Sequence, residues 1–250
     1  MQRYFIKAEQ ITTYCGSKMI IIDEKDSHHI KNVMRMQIMD KVIATTNNGS
    51  SYLCEIIDIN DYVTLKVLNE INNNNELKVK ITIAQGLMKK GKLEDVIRHL
   101  VELGCFAYIP VMMERSVVKI KEENIHYNER IIRIIKEASE QSERQSLMEL
   151  KKVMTFKELV ASLSDYDLVL VASAADKDDI NSLNYIKEVK KYQNVLVIIG
   201  PEGGISPNEL NLLKNNNCKI ISLGKRILRC ETAPLATMAI LAYEVENNEY

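Results

Sequence analysis

The chain has 250 residues, 46% of them hydrophobic, enough to bury one large core or two unequal ones. Its 33 Lys+Arg against 34 Asp+Glu give a net charge of -1, so bulk charge offers no reason for nucleic-acid binding and any such affinity must come from local patches. No apolar run approaches the ~20 residues of a membrane span, the start MQRYFIKAEQ lacks the order of a secretory signal, and five scattered cysteines without a C-x-x-C pair argue against disulfides and structural zinc. These features predict a cytoplasmic protein with no membrane segment and no metal.

In chain order, KMIIID, DKVIATTN, YLCEIID and VTLKVLNE are short, β-branched runs separated by turn signals such as NNGS and IND. They predict a small antiparallel β-barrel over residues 1–71. INNNNE (71–76) is polar and without periodicity, and reads as a linker. From 76 to 250 the pattern changes. VKITIAQ and AYIPVM are strands, GKLEDVIRHLVELG is an amphipathic helix that Gly104 stops, and residues 127–150 read as one long helix. DLVLVAS, NVLVIIG and KIISLG are further strands, apolar on both faces and alternating with helices. That pattern predicts an α/β domain around a parallel sheet.

Two loops stand out. GPEGGIS (200–206) follows a buried strand, and Ser206-Pro207-Asn208-Glu209 forms a capping box with proline at N1 of the next helix. The loop therefore lies at the carboxyl end of the sheet, where α/β proteins bind ligands. It matches neither G-x-x-x-x-G-K-[ST] nor G-x-G-x-x-G, so both phosphate-loop readings weaken, while a bare tight turn remains open. KIISLGKRILRCETA repeats the design: a strand expected to end at Gly224, a basic loop with Lys225, Arg226 and Arg229, then Glu231-Thr232 entering a helix with Pro234 in its first turn.

GPEGGIS and LGKRILRCETA resemble the two signature loops of the SPOUT class of S-adenosylmethionine-dependent RNA methyltransferases. The likeness extends through RYF (3–5), HIKNVMRM (29–36), KLEDVIRHLVELG, ERSVVK (114–119) and EASEQSER (137–144). Over nearly its full length the chain resembles the ribosomal RNA small subunit methyltransferase E family, which methylates N3 of a uridine in 16S rRNA.

The resemblance implies a PUA-like RNA-binding barrel over 1–71, an α/β-knot methyltransferase domain over 76–250 with a C-terminal trefoil knot, and a homodimer acting on 16S rRNA within the small ribosomal subunit. Carried over by position, S-adenosyl-L-methionine would bind Gly200, Pro201, Glu202, Gly203, Gly204, Leu223, Gly224, Ile227, Leu228, Arg229 and Thr232. Arg229 and Glu231 would be catalytic: loss of the uracil imide proton leaves negative charge on the flanking carbonyls, which a fixed guanidinium stabilises, and Glu231 would either receive the proton or orient Arg229. RNA contacts would come from Arg3, His29, Arg35, Lys89, Lys90, Arg115, Arg144 and Arg226. Met39 and Glu143 stand where the family usually has glycine, and His99 where it usually has lysine. The alternative function is a nonenzymatic RNA-binding assembly factor of the same fold.

Overall fold

The computed structural model describes residues 1–14, 16–47, 49–72, 75–88, 90–117, 125–173 and 182–247. The chain forms two units, one of Met1–Glu76 with Ser139–Leu147, the other of Leu77–Ala138 with Met148–Tyr250. The division falls between Glu76 and Leu77, and residues 139–147 lie with the first unit.

The first unit is built on β1 (Arg3–Ile6), β2 (Ile11–Tyr14), β3 (Ser17–Ile21), helix α1 (Glu24–His28), β4 (Lys41–Thr46), β5 (Ser51–Asp58) and β6 (Thr64–Ile71). One six-stranded sheet has the order β1-β4-β5-β6-β3-β2. Alternate residues Val42, Ala44, Cys54 and Ile56 turn into a core shared with Tyr4, Ile6, Ile20 and Leu65. The sequence reading lacked β1 and β2. RYFI is buried at all four positions and so shows no alternation, while ITTY is largely exposed. β1 also runs parallel to β4, correcting the all-antiparallel expectation. Residues 139–147 are held here by Phe5 N, which donates to Glu140 Oε1 at 3.1 Å, and by Arg144 Nη2, which donates to Glu76 Oε2 at 2.6 Å.

The second unit contains β7 (Lys80–Gly86), α2 (Lys90–Glu102), β8 (Ala107–Met112), α3 (Ile125–Gln141, its last turn in the first unit), β9 (Glu149–Leu150), β10 (Met154–Thr155), α4 (Phe156–Ala161), β11 (Leu168–Ala172), α5 (Ser182–Glu188), β12 (Asn194–Ile199), α6 (Pro207–Asn215), β13 (Lys219–Ile221) and α7 (Thr232–Glu246). Its strand order is β10-β8-β7-β12-β11-β13, with β9 also paired to β8, and every pairing is parallel. Helices cover the sheet, so neighbours such as Val195, Leu196, Val197 and Ile198 are all buried although they point to opposite faces. The expected helix over 127–150 ends at Gln141. Glu143 adopts φ 58, a left-handed conformation that cannot propagate a right-handed helix.

Candidate active site

β7, β11, β12 and β13 are parallel neighbours, so their carboxyl ends emerge on one edge and bring Gly86, Ser173, Gly200 and Ser222 together. A cavity of about 510 Å³ opens there, a size suited to a small ligand or cofactor. Two loops form most of its wall: 200–205 after β12, and 222–231 after β13.

Local chemistry fixes the first loop. Ser206 Oγ accepts from Glu209 N at 3.2 Å while Glu209 Oε2 accepts from Ser206 N at 3.0 Å, completing the expected capping box. The same groups hold the loop after β8: Ser206 Oγ donates to Glu114 Oε2 at 2.5 Å, and Glu209 Oε1 accepts from Glu114 N at 2.8 Å. Gly200 is required by closure of the turn, because a Cβ there would sit 2.8 Å from the carbonyl carbon of Gly204. Gly86 serves the same loop from the end of β7, where a Cβ would fall 2.4 Å from Pro201 N.

The second loop is tied down at its far end. Gln85, fully buried on β7, donates from Nε2 to the Cys230 carbonyl at 2.6 Å and accepts from Tyr108 Oη at 3.2 Å. Lys92 Nζ lies 2.8 Å from Glu231 Oε1, and Cys230 Sγ donates to Glu231 Oε2 at 3.1 Å. The hydrogen bond from Lys92, followed by that from Cys230, holds the Glu231 carboxyl down at about 2. Burial pushes the neighbouring Cys230 thiol up to about 12, so it stays neutral. Arg229 lies outside this pair, with Nη1 3.9 Å from Glu231 Oε1 and its side chain 82% exposed.

Of the cofactor residues expected from sequence, Gly200, Pro201, Glu202 and Gly204 line the cavity from the first loop. Leu223, Gly224, Ile227, Leu228 and Arg229 line it from the second. Gly203 and Thr232 do not. Gly203 is instead the point of closest approach to Arg115, whose Cβ would be 2.9 Å from an added Cβ and whose Nη1 donates to the Gly203 carbonyl at 3.2 Å. Thr232 has already entered α7, where its N–H donates to the Arg229 carbonyl at 2.9 Å. The expected catalytic pair, Arg229 and Glu231, both line the cavity, as does Arg226.

The expected RNA contacts divide. Arg35 and Arg115 are exposed, and His29 is partly buried with Nδ1 3.1 Å from Tyr4 Oη. Arg3 and Arg144 require correction. Arg3 is buried at 3% exposure, donating to Thr45 Oγ1 and Ser51 Oγ, and Arg144, equally buried, forks onto Glu76. Each guanidinium is used inside its unit and is withheld from a nucleic-acid surface. Lys89 lies outside the described residues, and Lys90 is described only as the first residue of α2. Sequence reasoning missed Lys92, Ser173, Ser222 and Gln85. LMKKGKLEDVIRH is a basic stretch, but nothing in it marks Lys92 as the lysine that reaches the cavity.

Residues 75–242 match the RNA methyltransferase domain family, and residues 22–68 match the RNA methyltransferase PUA domain. The ribosomal RNA small subunit methyltransferase E of Bacillus subtilis is 36% identical over 98% of both chains. This chain belongs to that family. Its fold is shared with the Neisseria gonorrhoeae protein of the same name, solved bound to S-adenosylmethionine, at TM-score 0.83 and 22% identity over 96% of this chain and 95% of that one. A Legionella pneumophila protein solved with the same cofactor is 25% identical, with TM-score 0.80 and 96% of both chains covered.

The donor set of the cavity fits that cofactor. The Glu202 and Glu231 carboxylates suit a cation, Ile199, Leu223 and Leu228 suit apolar surface, and the glycine-built turn leaves main chain close to the space. Among the described residues no group of His, Cys, Asp and Glu could hold a metal ion, and no helix is long and apolar enough to cross a membrane.

Proposed function

We propose that this chain transfers a methyl group from S-adenosylmethionine to N3 of a specific uridine in 16S rRNA within the small ribosomal subunit, working in the cytoplasm as a homodimer. One observation carries the reading: a single cavity combines a glycine-shaped cradle with an outward guanidinium, Arg229, beside an anchored carboxylate, Glu231. Bound S-adenosylmethionine supplies an already activated methyl group, so the protein contributes position and charge.

Arg229 presents a fixed, planar cation to the carbonyl oxygens of uracil as the imide proton is lost. Glu231, with its carboxyl held at about 2, is a poor proton acceptor at neutral pH and acts as a fixed anion. The proton leaves to solvent at the exposed end of the site. Arg226, Arg115, Arg35, His29, Lys89 and Lys90 supply RNA contacts. The trefoil knot belongs to the same proposal, supported by family membership.

The homodimer is supported by α7. The helix is apolar around its circumference, yet Ile240 and Tyr243 are exposed, as is Ile227 in the preceding loop. A helix of that kind is normally buried on all sides, and a second copy is the proposed cover. The deciding experiment is mass spectrometry of rRNA nucleosides from cells lacking the gene. 3-Methyluridine should disappear from 16S rRNA and return with the wild-type gene but not with Arg229→Ala. An unchanged 3-methyluridine level on deletion overturns the reading.

A further inference from the structure

Two cations compete for one carboxylate oxygen in this site. Glu231 Oε1 is 2.8 Å from Lys92 Nζ and 3.9 Å from Arg229 Nη1. The lysine holds it, while the other oxygen, Oε2, accepts from Cys230 Sγ at 3.1 Å. The bond from Gln85 to the Cys230 carbonyl holds the main chain next to Glu231, and Lys92 and Cys230 hold its two carboxylate oxygens. Exposure follows the same order: Glu231 is 26% exposed, Lys92 40% and Arg229 82%. The ion pair is the inner element and the guanidinium the outer one.

The geometry is poised to change if the lysine is lost. An arginine–carboxylate pair forms bonds of about 2.7–2.9 Å, frequently in a two-pronged fork stronger than a single-point ammonium contact. Arg229 needs to move only about 1 Å to reach that range. Glu202 is the other acid lining the cavity, and Arg226 the other cation. A guanidinium forked onto Glu231 would have much of its charge offset and about two of its five donors occupied, leaving less of both for the RNA.

We propose that Lys92 is a positioning residue of the methyl-transfer site: by occupying the Glu231 carboxylate, it keeps the Arg229 guanidinium free for the RNA substrate. This rests on the function proposed above. Lys92 acts through Glu231 and Arg229 rather than by touching the reacting atoms. A merely structural Lys92 would instead brace α2 against the start of α7, and its loss would show in stability.

The test is a double-mutant cycle on the full-length protein, using small subunits from cells lacking the gene and methyl-labelled S-adenosylmethionine. Lys92→Met should slow single-turnover methylation by roughly tenfold or more, part of the loss typical when one transition-state donor is disabled. Lys92→Arg should retain most of the rate. In a Glu231→Gln background, where the carboxylate within 3.9 Å of Arg229 is gone, Lys92→Met should change the rate by less than about threefold. An equal loss in both backgrounds overturns the proposal, because Lys92 would then act independently of Glu231.

A second readout needs neither cofactor nor RNA. In protein with 15N-labelled arginine, Lys92→Met should slow solvent exchange of the Arg229 Nε–H, and adding Glu231→Gln should restore fast exchange. Exchange unchanged by Lys92→Met overturns the positioning role even if methylation is observed. If the wild-type protein does not methylate the subunits while Arg229 still closes onto Glu231 in Lys92→Met, the proposed function fails and the ion-pair geometry stands.

Discussion

The side-chain amide of Gln85 donates to the carbonyl of Cys230 at 2.6 Å, joining residues 145 positions apart between the centre of the sheet and the loop that carries Arg229 and Glu231. Both ends of the amide are engaged, since Tyr108 Oη donates to its oxygen. Gln85→Met keeps the volume but leaves a carbonyl without its donor, at a cost of about 1–3 kcal/mol. The variant should remain folded by circular dichroism while its single-turnover rate falls at least about tenfold, because the loop that carries Arg229 and Glu231 loses its anchor. Tyr108→Phe, which removes only the hydroxyl, should cost about 1 kcal/mol in urea unfolding. An unchanged methylation rate in Gln85→Met would show that the loop holds its register without the amide.

Gly86→Ala should damage cofactor binding more than its size suggests. Its Cβ would lie 2.4 Å from Pro201 N and Cδ, so the main chain of the cradle must move. Overpacking of this kind costs about 1–3 kcal/mol. Calorimetry should find S-adenosylmethionine affinity down by about tenfold or more, since a 1 kcal/mol change is already several-fold in binding. Gly91→Ala, with nothing within 4 Å of its added Cβ, is the matched control and should bind normally.

The Glu76–Arg144 pair should make the first unit acid-sensitive. Burial pushes the Glu76 carboxyl up, but the bond and charge of Arg144, with the N–H groups of Gln145 and Ser146, outweigh it and hold it below the usual range. A carboxyl lowered by folding contributes stability that is complete above its unfolded value and lost as pH falls through its folded one. Wild-type stability should therefore drop below about pH 4.3, where an unfolded glutamate begins to take up its proton. Glu76→Gln should be less stable by about 3 kcal/mol at pH 7, because a buried guanidinium loses this carboxylate, and should show a flatter acid limb. Denaturant midpoints from pH 3 to 7 report both effects.

Met39 and Glu143 hold left-handed conformations, with φ 77 and φ 58. For residues with a Cβ such backbone costs about 1–2 kcal/mol, partly offset by the chain entropy that glycine loses on folding. Met39→Gly and Glu143→Gly should each raise stability by about 0.5–1 kcal/mol. Thermal melts showing no gain in either would mean that neighbouring contacts fully offset the strain.

The exposed Ile240 and Tyr243 lead to a test of assembly. Sedimentation at micromolar concentration should give twice the 28.6 kDa chain mass, and Ile240→Glu should shift it towards the single-chain value. A single-chain mass for the wild type would remove the dimer from the proposal.

Much of the α/β unit was legible in the sequence because its signals are local. AYIPVM coincides with β8, the Ser206–Glu209 capping box forms as written, and Gly104 ends α2 with φ 83. Met39 and Glu143, singled out from the sequence as standing where glycine was expected, adopt left-handed backbone. The parts missed depend on long-range packing. Nothing near Gln85 or Lys92 in sequence shows that their partners are Cys230 and Glu231, and an arginine destined for burial, such as Arg3 or Arg144, has the same letter as one facing RNA. Gly203 sits in the right loop, but its space is set by Arg115 and not by the cavity.

The inclusion of Ser139–Leu147 with Met1–Glu76 means that the two units are interleaved along the gene. A cut at INNNNE would release an N-terminal fragment without Glu140 to accept from Phe5 and without the guanidinium that Glu76 balances. The remaining fragment would carry Arg144 with its counter-ion left behind. Gene fusion or domain exchange at that polar run therefore divides a folded unit, and the N-terminal module can be inherited intact only together with the last turn of α3 and the loop that follows it.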